Sequence, residues 1–115
     1  MGHNLDFPKS PKKAVAAFEK LLNIEPDNPH GNYLYGMFLS STAKYQNNSI
    51  KFLEKALELG IQDAKYTLGL MHLKNGNSKI GVSYLEDYSK QYPKSRAAMM
   101  LKAYKEGKLK FNVSN

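Results

Sequence analysis

Residues 55–76 have the sequence KALELGIQDAKYTLGLMHLKNG. Two glycines divide this stretch, because Gly60 follows one segment with apolar residues at helical spacing and Gly76 follows the next. Asp63 stands where the second segment begins, a position at which its carboxylate can cap a helix. Gly69 lies in the middle of that segment, although glycine costs about 1 kcal/mol in a helix interior. The stretch therefore predicts the end of one helix, a short turn and a second helix that another helix approaches closely at Gly69.

The same punctuation by Gly, Pro and capping residues continues in both directions along the chain. Apolar residues recur at helical spacing in each segment, and no segment alternates apolar with polar residues for long enough to predict a strand. We therefore expect an all-α fold of about six helices, whose short loops favour antiparallel neighbours. The predicted helices run from Ser10 to before Pro26, from Asn28 to about Ala43, from Asn48 or Ser49 to Gly60, from Ala64 (capped by Asp63) to Lys74, from Asn77 to before Pro93, and from Ser95 to Gly107.

The chain repeats itself with a period of about 34 residues. Gly36 and Gly69 stand one such period apart, and each lies in the middle of an apolar helix. A set of three residues recurs after two periods: Ala14, Phe18 and Pro26 correspond to Gly81, Leu85 and Pro93. A period of this length over paired helices is typical of a helical solenoid, in which stacked units bury a core that no single unit could bury.

This periodicity predicts one helical repeat domain over residues 1–115. Its parts are a half unit at about 11–28, units at 29–61 and 62–94, a terminal capping helix at 95–107 and a tail at 108–115. Large residues should fill the space between units, and small residues should face them. The large residues are Phe18, Leu53 and Leu85, and the small ones are Ala14, Ala56 and Gly81.

The stretch 55–76 resembles the tetratricopeptide repeat family, especially its Sel-one-like branch. Ala64, Leu68, Gly69 and His72 occupy the family's Ala, Leu-Gly and Tyr positions, and the segment from Ala14 to Pro26 resembles the second half of such a repeat. The resemblance extends over roughly residues 11–107, but the chain has no Trp, and Tyr35 replaces the Leu that precedes the glycine. It implies an antiparallel helix-hairpin solenoid, in which the first helix of each hairpin lines a concave groove that binds proteins.

The expected groove helices lie around residues 30–43 and 64–74. With Leu34, Phe38, Leu68 and Met71 placed on the buried side, the partner-binding candidates are Tyr33, Met37, Tyr66, Leu70 and Lys74. Tyr and Met suit such a surface because Tyr joins an apolar ring to a hydroxyl and Met adapts its shape. The alternative is that these side chains fill the core of a tight stack. An adaptor, a chaperone and an immunity protein that neutralises a toxin all remain open.

Charge suggests a second reading. Seventeen Lys and Arg against ten Asp and Glu give a net charge of +7, and six cations with one anion lie between Lys94 and Lys110. The predicted basic patch is Lys102, Lys105, Lys108 and Lys110. A basic end attracts acidic partners, so nucleic-acid binding is the alternative function. Solubility alone also explains a moderate net charge.

The sequence predicts no catalytic residues, no metal site and no cofactor. It has no cysteine, which excludes thiol catalysis and cysteine-bound zinc, and it lacks His-Glu-x-x-His and Gly-x-Ser-x-Gly motifs. His3, His30 and His72 are isolated from one another, and His72 occupies a packing position in the repeat, so a buried structural histidine is expected there. The protein is therefore expected not to be an enzyme.

The sequence also bears on location and assembly. No apolar run approaches the roughly 18 residues of a membrane span, and the first residues lack the pattern of a signal peptide. We expect a cytoplasmic protein that binds another protein or peptide, with no membrane partner. Pairing of two copies through the exposed ends of the repeats is left open.

Overall fold

The structure is a computed structural model, and it describes residues 11–110. Six α-helices cover most of this range and none of its residues lies in a strand, which confirms the all-α prediction. The helices are α1 (Pro11–Ile24), α2 (Pro29–Ser40), α3 (Gln46–Glu58), α4 (Ala64–Lys74), α5 (Ser78–Gln91) and α6 (Arg96–Lys105), with a short 3₁₀ turn at Ala43–Tyr45. The predicted cap Ser10 and the end of the tail lie outside the described residues. No helix within 11–110 has both the length and the apolar character needed to cross a membrane.

The connection between α2 and α3 differs from the sequence prediction. We expected the second helix to continue to about Ala43 and the third to begin at Asn48 or Ser49, but α2 ends at Ser40 and α3 begins at Gln46. Hydroxyl groups explain the early end, because the Ser41 hydroxyl donates to the Phe38 carbonyl at 2.8 Å and the Thr42 hydroxyl donates to the same carbonyl at 3.1 Å. Such side-chain bonds compete with the backbone bonds that would extend a helix.

The chain divides into two compact units, residues 1–60 and 61–115. In the first unit, α2 packs against α1 and, more extensively, against α3. Its core contains Phe18, Tyr35 and Leu39, with the Phe18 and Tyr35 rings stacked at 5.1 Å between centroids. Phe52 of α3 closes this cluster, with its ring centroid 4.5 Å from that of Tyr35.

The second unit is built from α4, α5 and α6. Its α5 packs against both α4 and α6, and its core contains Leu73, Leu85 and Ala97. We expected the Asp63 side chain to cap α4, but it forms no capping hydrogen bond. Its carboxylate instead accepts a hydrogen bond from the Tyr88 hydroxyl. This bond ties the start of α4 to α5.

Glycines set the distance between the paired helices in both units, as the sequence predicted. A Cβ atom on Gly36 would lie 2.6 Å from the Leu53 Cγ, and one on Gly69 would lie 2.7 Å from the Leu85 Cγ. Leu53 and Leu85 are both fully buried. Since atoms cannot approach so closely, only glycine lets α3 lie against α2 and α5 lie against α4 at these distances.

Candidate interaction surfaces

The surface of α2 places Tyr33 and Met37 together, one turn apart and both half-buried. Leu34 corrects the sequence prediction: we expected it on the buried side, but its side chain is 49% exposed. The core stripe of α2 instead passes through Asn32, Tyr35 and Leu39, and Leu34 lies off this stripe. Leu34 is therefore an additional surface candidate that the sequence reasoning missed. The position of Gly36 could have revealed it, because the closely packed glycine marks the buried face.

The surface of α4 carries the other three groove candidates. Tyr66, Leu70 and Lys74 follow one another at a spacing of four residues, and each is half-buried. Tyr66 and Leu70 also pack against the core of the second unit, so part of each side chain belongs to that core. The core interpretation therefore holds for part of the Tyr66 and Leu70 side chains, and the groove interpretation stays a prediction.

The predicted basic patch is exposed throughout. Lys102 and Lys105 lie on α6, and Lys108 and Lys110 follow it. The Lys105 Nζ lies 3.4 Å from the Glu86 Oε2, and the Lys108 Nζ lies 3.2 Å from the Glu106 Oε1. Exposed pairs of this kind contribute about 0–1 kcal/mol, so they hold the lysines only weakly.

The net positive charge lies almost entirely in the second unit. Residues 61–115 contain ten Lys and Arg against four Asp and Glu, whereas residues 1–60 contain seven against six. The second unit thus carries +6 of the net +7. Its surface potential favours acidic partners.

A cleft of about 310 Å³ opens on the second unit. It is lined by Ser89 of α5, by Ala98, Leu101, Lys102 and Lys105 of α6, and by Glu106. The Ser89 hydroxyl is engaged internally, since it donates to the Leu85 carbonyl. The walls therefore combine an apolar floor with lysine side chains at the edge.

A second cleft, of about 440 Å³, lies on the first unit, and its lining includes Asn32, Phe52 and Lys55. The Asn32 Nδ2 donates to the Pro26 and Asn28 carbonyls at 3.0 and 2.9 Å. The Lys55 Nζ lies 2.9 Å from the Asp27 Oδ1, and this hydrogen bond raises the pKa of Lys55 above its ordinary value. The Asn32 bonds hold the loop between α1 and α2, and the exposed Lys55–Asp27 pair links that loop to α3.

His72 is buried at 8% exposure, as expected for a structural histidine. Its ring stacks on Tyr84 with 5.8 Å between centroids, and its Nδ1 lies 3.4 Å from the Asn77 Nδ2. The Nε2 atom has no hydrogen-bond partner among the described residues. His30 is exposed and His3 lies outside the described residues. Within residues 11–110 no three His, Asp or Glu side chains come together as metal ligands would.

The surfaces of α2, α4 and α6 are thus the features from which a function can be proposed. No protein-family model matches the chain, and no curated protein matches it.

Proposed function

We propose that this protein is a non-catalytic interaction module that binds another protein or a peptide through the apolar surfaces of α2 and α4. The observation that carries this proposal is the exposure of Leu34, which lies at 49% exposure beside Tyr33 and one turn from Met37. A large aliphatic side chain left in water on a well-packed helix costs free energy that a partner could recover. Tyr and Met beside it are residues that interfaces favour.

We further propose that the α2–α3 and α4–α5 pairs are two tetratricopeptide-like repeats, of the Sel-one-like type, in a helix-hairpin solenoid. The support is the repeated contact between a helix glycine and a buried leucine, Gly36 with Leu53 and Gly69 with Leu85. The glycine and the leucine of the second pair each follow those of the first by about one repeat period. In such a stack α2 and α4 are the first helices of successive hairpins, which is the position that lines a groove.

The composition of this surface supports one class of partner. Apolar anchors with Lys74 beside them suit a peptide or protein with apolar side chains. An adaptor, a chaperone and a toxin-neutralising immunity protein are the roles we propose, in the cytoplasm. The bound protein would select among these roles.

The test is affinity purification from cells of the source organism with the wild type and three variants. We expect Leu34→Gln and Tyr66→Ala to reduce partner capture at least about tenfold, because central anchors carry most of the energy of an interface. The Leu34→Gln variant should keep the wild-type melting temperature, since that side chain is half exposed. Leu85→Ala is the control for stability, because it should lower the free energy of unfolding by about 2–5 kcal/mol. Capture that follows only the folded fraction of each variant would contradict the proposal.

Nucleic-acid binding through the basic end is the second candidate, and the +6 charge of residues 61–115 is the observation that favours it. All but one of the seventeen cations are Lys, which supplies point charge rather than the bidentate fork that reads bases. Any such binding should therefore be independent of base sequence and should fall steeply with salt. Titration of labelled single-stranded and duplex oligonucleotides at several salt concentrations tests it.

A further inference from the structure

The cleft between α5 and α6 combines apolar side chains with lysines. Ala98, Leu101, Lys102 and Lys105 line it at spacings of three and four residues, so they form one stripe along α6. Ala98 and Leu101 are half-buried and form an apolar floor, while Lys102 and Lys105 are exposed. A volume of about 310 Å³ lies at the lower end of the range for small-molecule pockets.

The electrostatics of this stripe are unbalanced. Lys102 forms no ion pair with any residue of the described range, and Lys105 pairs only with the exposed Glu86 at 3.4 Å. That exposed contact is weak, so a carboxylate supplied by a partner can replace it. The surrounding unit adds further positive charge, since residues 61–115 carry a net +6 and Lys102 and Lys105 account for two of these charges.

We propose that this cleft is a docking site for an acidic amphipathic segment of a partner protein. One apolar side chain of the segment enters between Ala98 and Leu101, and flanking Asp or Glu side chains pair with Lys102 and Lys105. The apolar contact gives the segment its register, and the charges attract it and orient it. Met99, at 69% exposure and three residues before Lys102 on α6, lies beside this stripe and offers a second and adaptable apolar contact.

The chemistry of the lining favours a protein segment over a polynucleotide. No aromatic ring lines the cleft, so it offers no platform on which a base could stack. Glu106 lies in the lining and Glu86 lies beside Lys105, and both carboxylates would repel a continuous phosphate backbone. A peptide can place its charges on the lysines and its apolar side chain elsewhere, which a uniform polyanion cannot do.

This site shares no residue with the surfaces proposed on α2 and α4, and the proposal does not depend on the function proposed for them. Either surface can fail while the other binds. The Leu34→Gln variant separates them, because it leaves the α6 stripe intact.

The probe for the test is a short fluorescent peptide with one leucine flanked by glutamates, titrated by anisotropy at about 0.15 M salt. Two matched peptides replace the leucine by serine or the glutamates by glutamine, and a single-stranded oligonucleotide of equal charge competes. The protein variant is Lys102→Gln with Lys105→Gln. Its control is Lys12→Gln with Lys13→Gln, which removes the same charge from two exposed positions of α1. A third variant, Ala98→Met, fills the cleft, and circular dichroism melting checks the fold of each.

We expect the variant at Lys102 and Lys105 to bind the leucine peptide at least about tenfold more weakly than the wild type. The control at Lys12 and Lys13 should change this affinity less than about threefold. Ala98→Met should lower the affinity for the leucine peptide but not that for the serine peptide. Leu34→Gln should bind the leucine peptide with the wild-type affinity. Equal losses in the two lysine variants would overturn the proposal, because net charge alone would then explain binding. Equal affinity for the leucine and serine peptides, tighter binding of the oligonucleotide, or no binding of the wild type to the probe would also overturn it.

Discussion

Gly36 and Gly31 lie in the same helix, but a Cβ atom would meet different neighbours at each. At Gly36 it would lie 2.6 Å from the Cγ of the fully buried Leu53 and 3.1 Å from the Leu53 backbone nitrogen. Gly36→Ala should therefore lower the free energy of unfolding by roughly 1–3 kcal/mol, although alanine is the better helix former by about 1 kcal/mol. Urea denaturation measures the change.

Gly31→Ala is the matched control. Its Cβ would meet only the ends of side chains, the Leu21 and Leu22 Cδ2 atoms at 3.1 and 3.2 Å and the Asn28 Oδ1 at 3.3 Å. These atoms can move by small rotations, so we expect a stability within about 1 kcal/mol of the wild type. Equal losses for the two alanine variants would mean that the contact with Leu53 does not set the helix spacing.

Tyr35 makes stability depend on pH in the alkaline range. Burial raises the pKa of its hydroxyl above the ordinary value, and the nearby Glu19 and Tyr45 add to the effect. A group whose pKa is higher in the folded state contributes stability that is present below its unfolded pKa, about 10, and is lost as the pH rises through the folded value. Lys55, whose pKa is raised by its hydrogen bond to Asp27, acts in the same direction.

Tyr35→Phe should therefore show a shallower loss of stability above about pH 10 than the wild type. Each protein is unfolded with urea across the alkaline range, and each curve is referred to its own value at neutral pH. The contribution of Lys55 is common to both proteins and cancels in the comparison. Parallel curves would contradict the prediction.

At the scale of single helices, the starts of α2 and α6 provide a contrast. The Asn28 Oδ1 accepts a hydrogen bond of 2.7 Å from the Gly31 backbone N–H and so caps α2. The Ser95 hydroxyl does not cap α6, and its oxygen is buried without a hydrogen-bond partner among the described residues. Asn and Ser are both residue types that are favoured at helix N-caps, but only the folded chain shows which of the two acts as a cap.

We therefore expect Asn28→Ala to cost about 0.5–2 kcal/mol and Ser95→Ala to be neutral or slightly stabilising. The first change removes a bond that α2 uses, and the second removes a polar atom that gains nothing from burial. Thermal unfolding of both variants measures the difference. A lower melting temperature for Ser95→Ala than for Asn28→Ala would show that this assignment of caps is wrong.

At the scale of the whole molecule, the two units differ in net charge. Residues 61–115 contain ten cations and four anions, so repulsion among the excess cations dominates there. Residues 1–60 are nearly balanced in charge. Added salt screens this repulsion. We expect amide hydrogen exchange in α5 and α6 to slow as salt rises from about 0.01 M to about 0.15 M, with a smaller change in α2 and α3. Mass spectrometry of peptic fragments resolves the two regions, and an equal response would contradict the prediction.

Local signals in the sequence were sufficient for the helices and for their closest contacts. Pro and Gly at the ends of apolar-periodic segments predicted six α-helices, and α4 begins and ends where expected, at Ala64 and Lys74. Gly36 and Gly69, each inside an apolar helix, predicted close packing, and the structure confirms it through Leu53 and Leu85. These features succeed because glycine, proline and helical periodicity act within a few residues of one another.

The choice of face and of hydrogen-bond partner required the folded chain. Leu34 belongs to an apolar run on α2, but its exposure depends on which side of the helix meets α1 and α3. Asp63 stands at a capping position in the sequence, but its carboxylate accepts a hydrogen bond from Tyr88, which is 25 residues away. When a helix is apolar nearly all round, its sequence pattern does not indicate which face is buried. A polar side chain forms hydrogen bonds with whichever group the packing brings within reach.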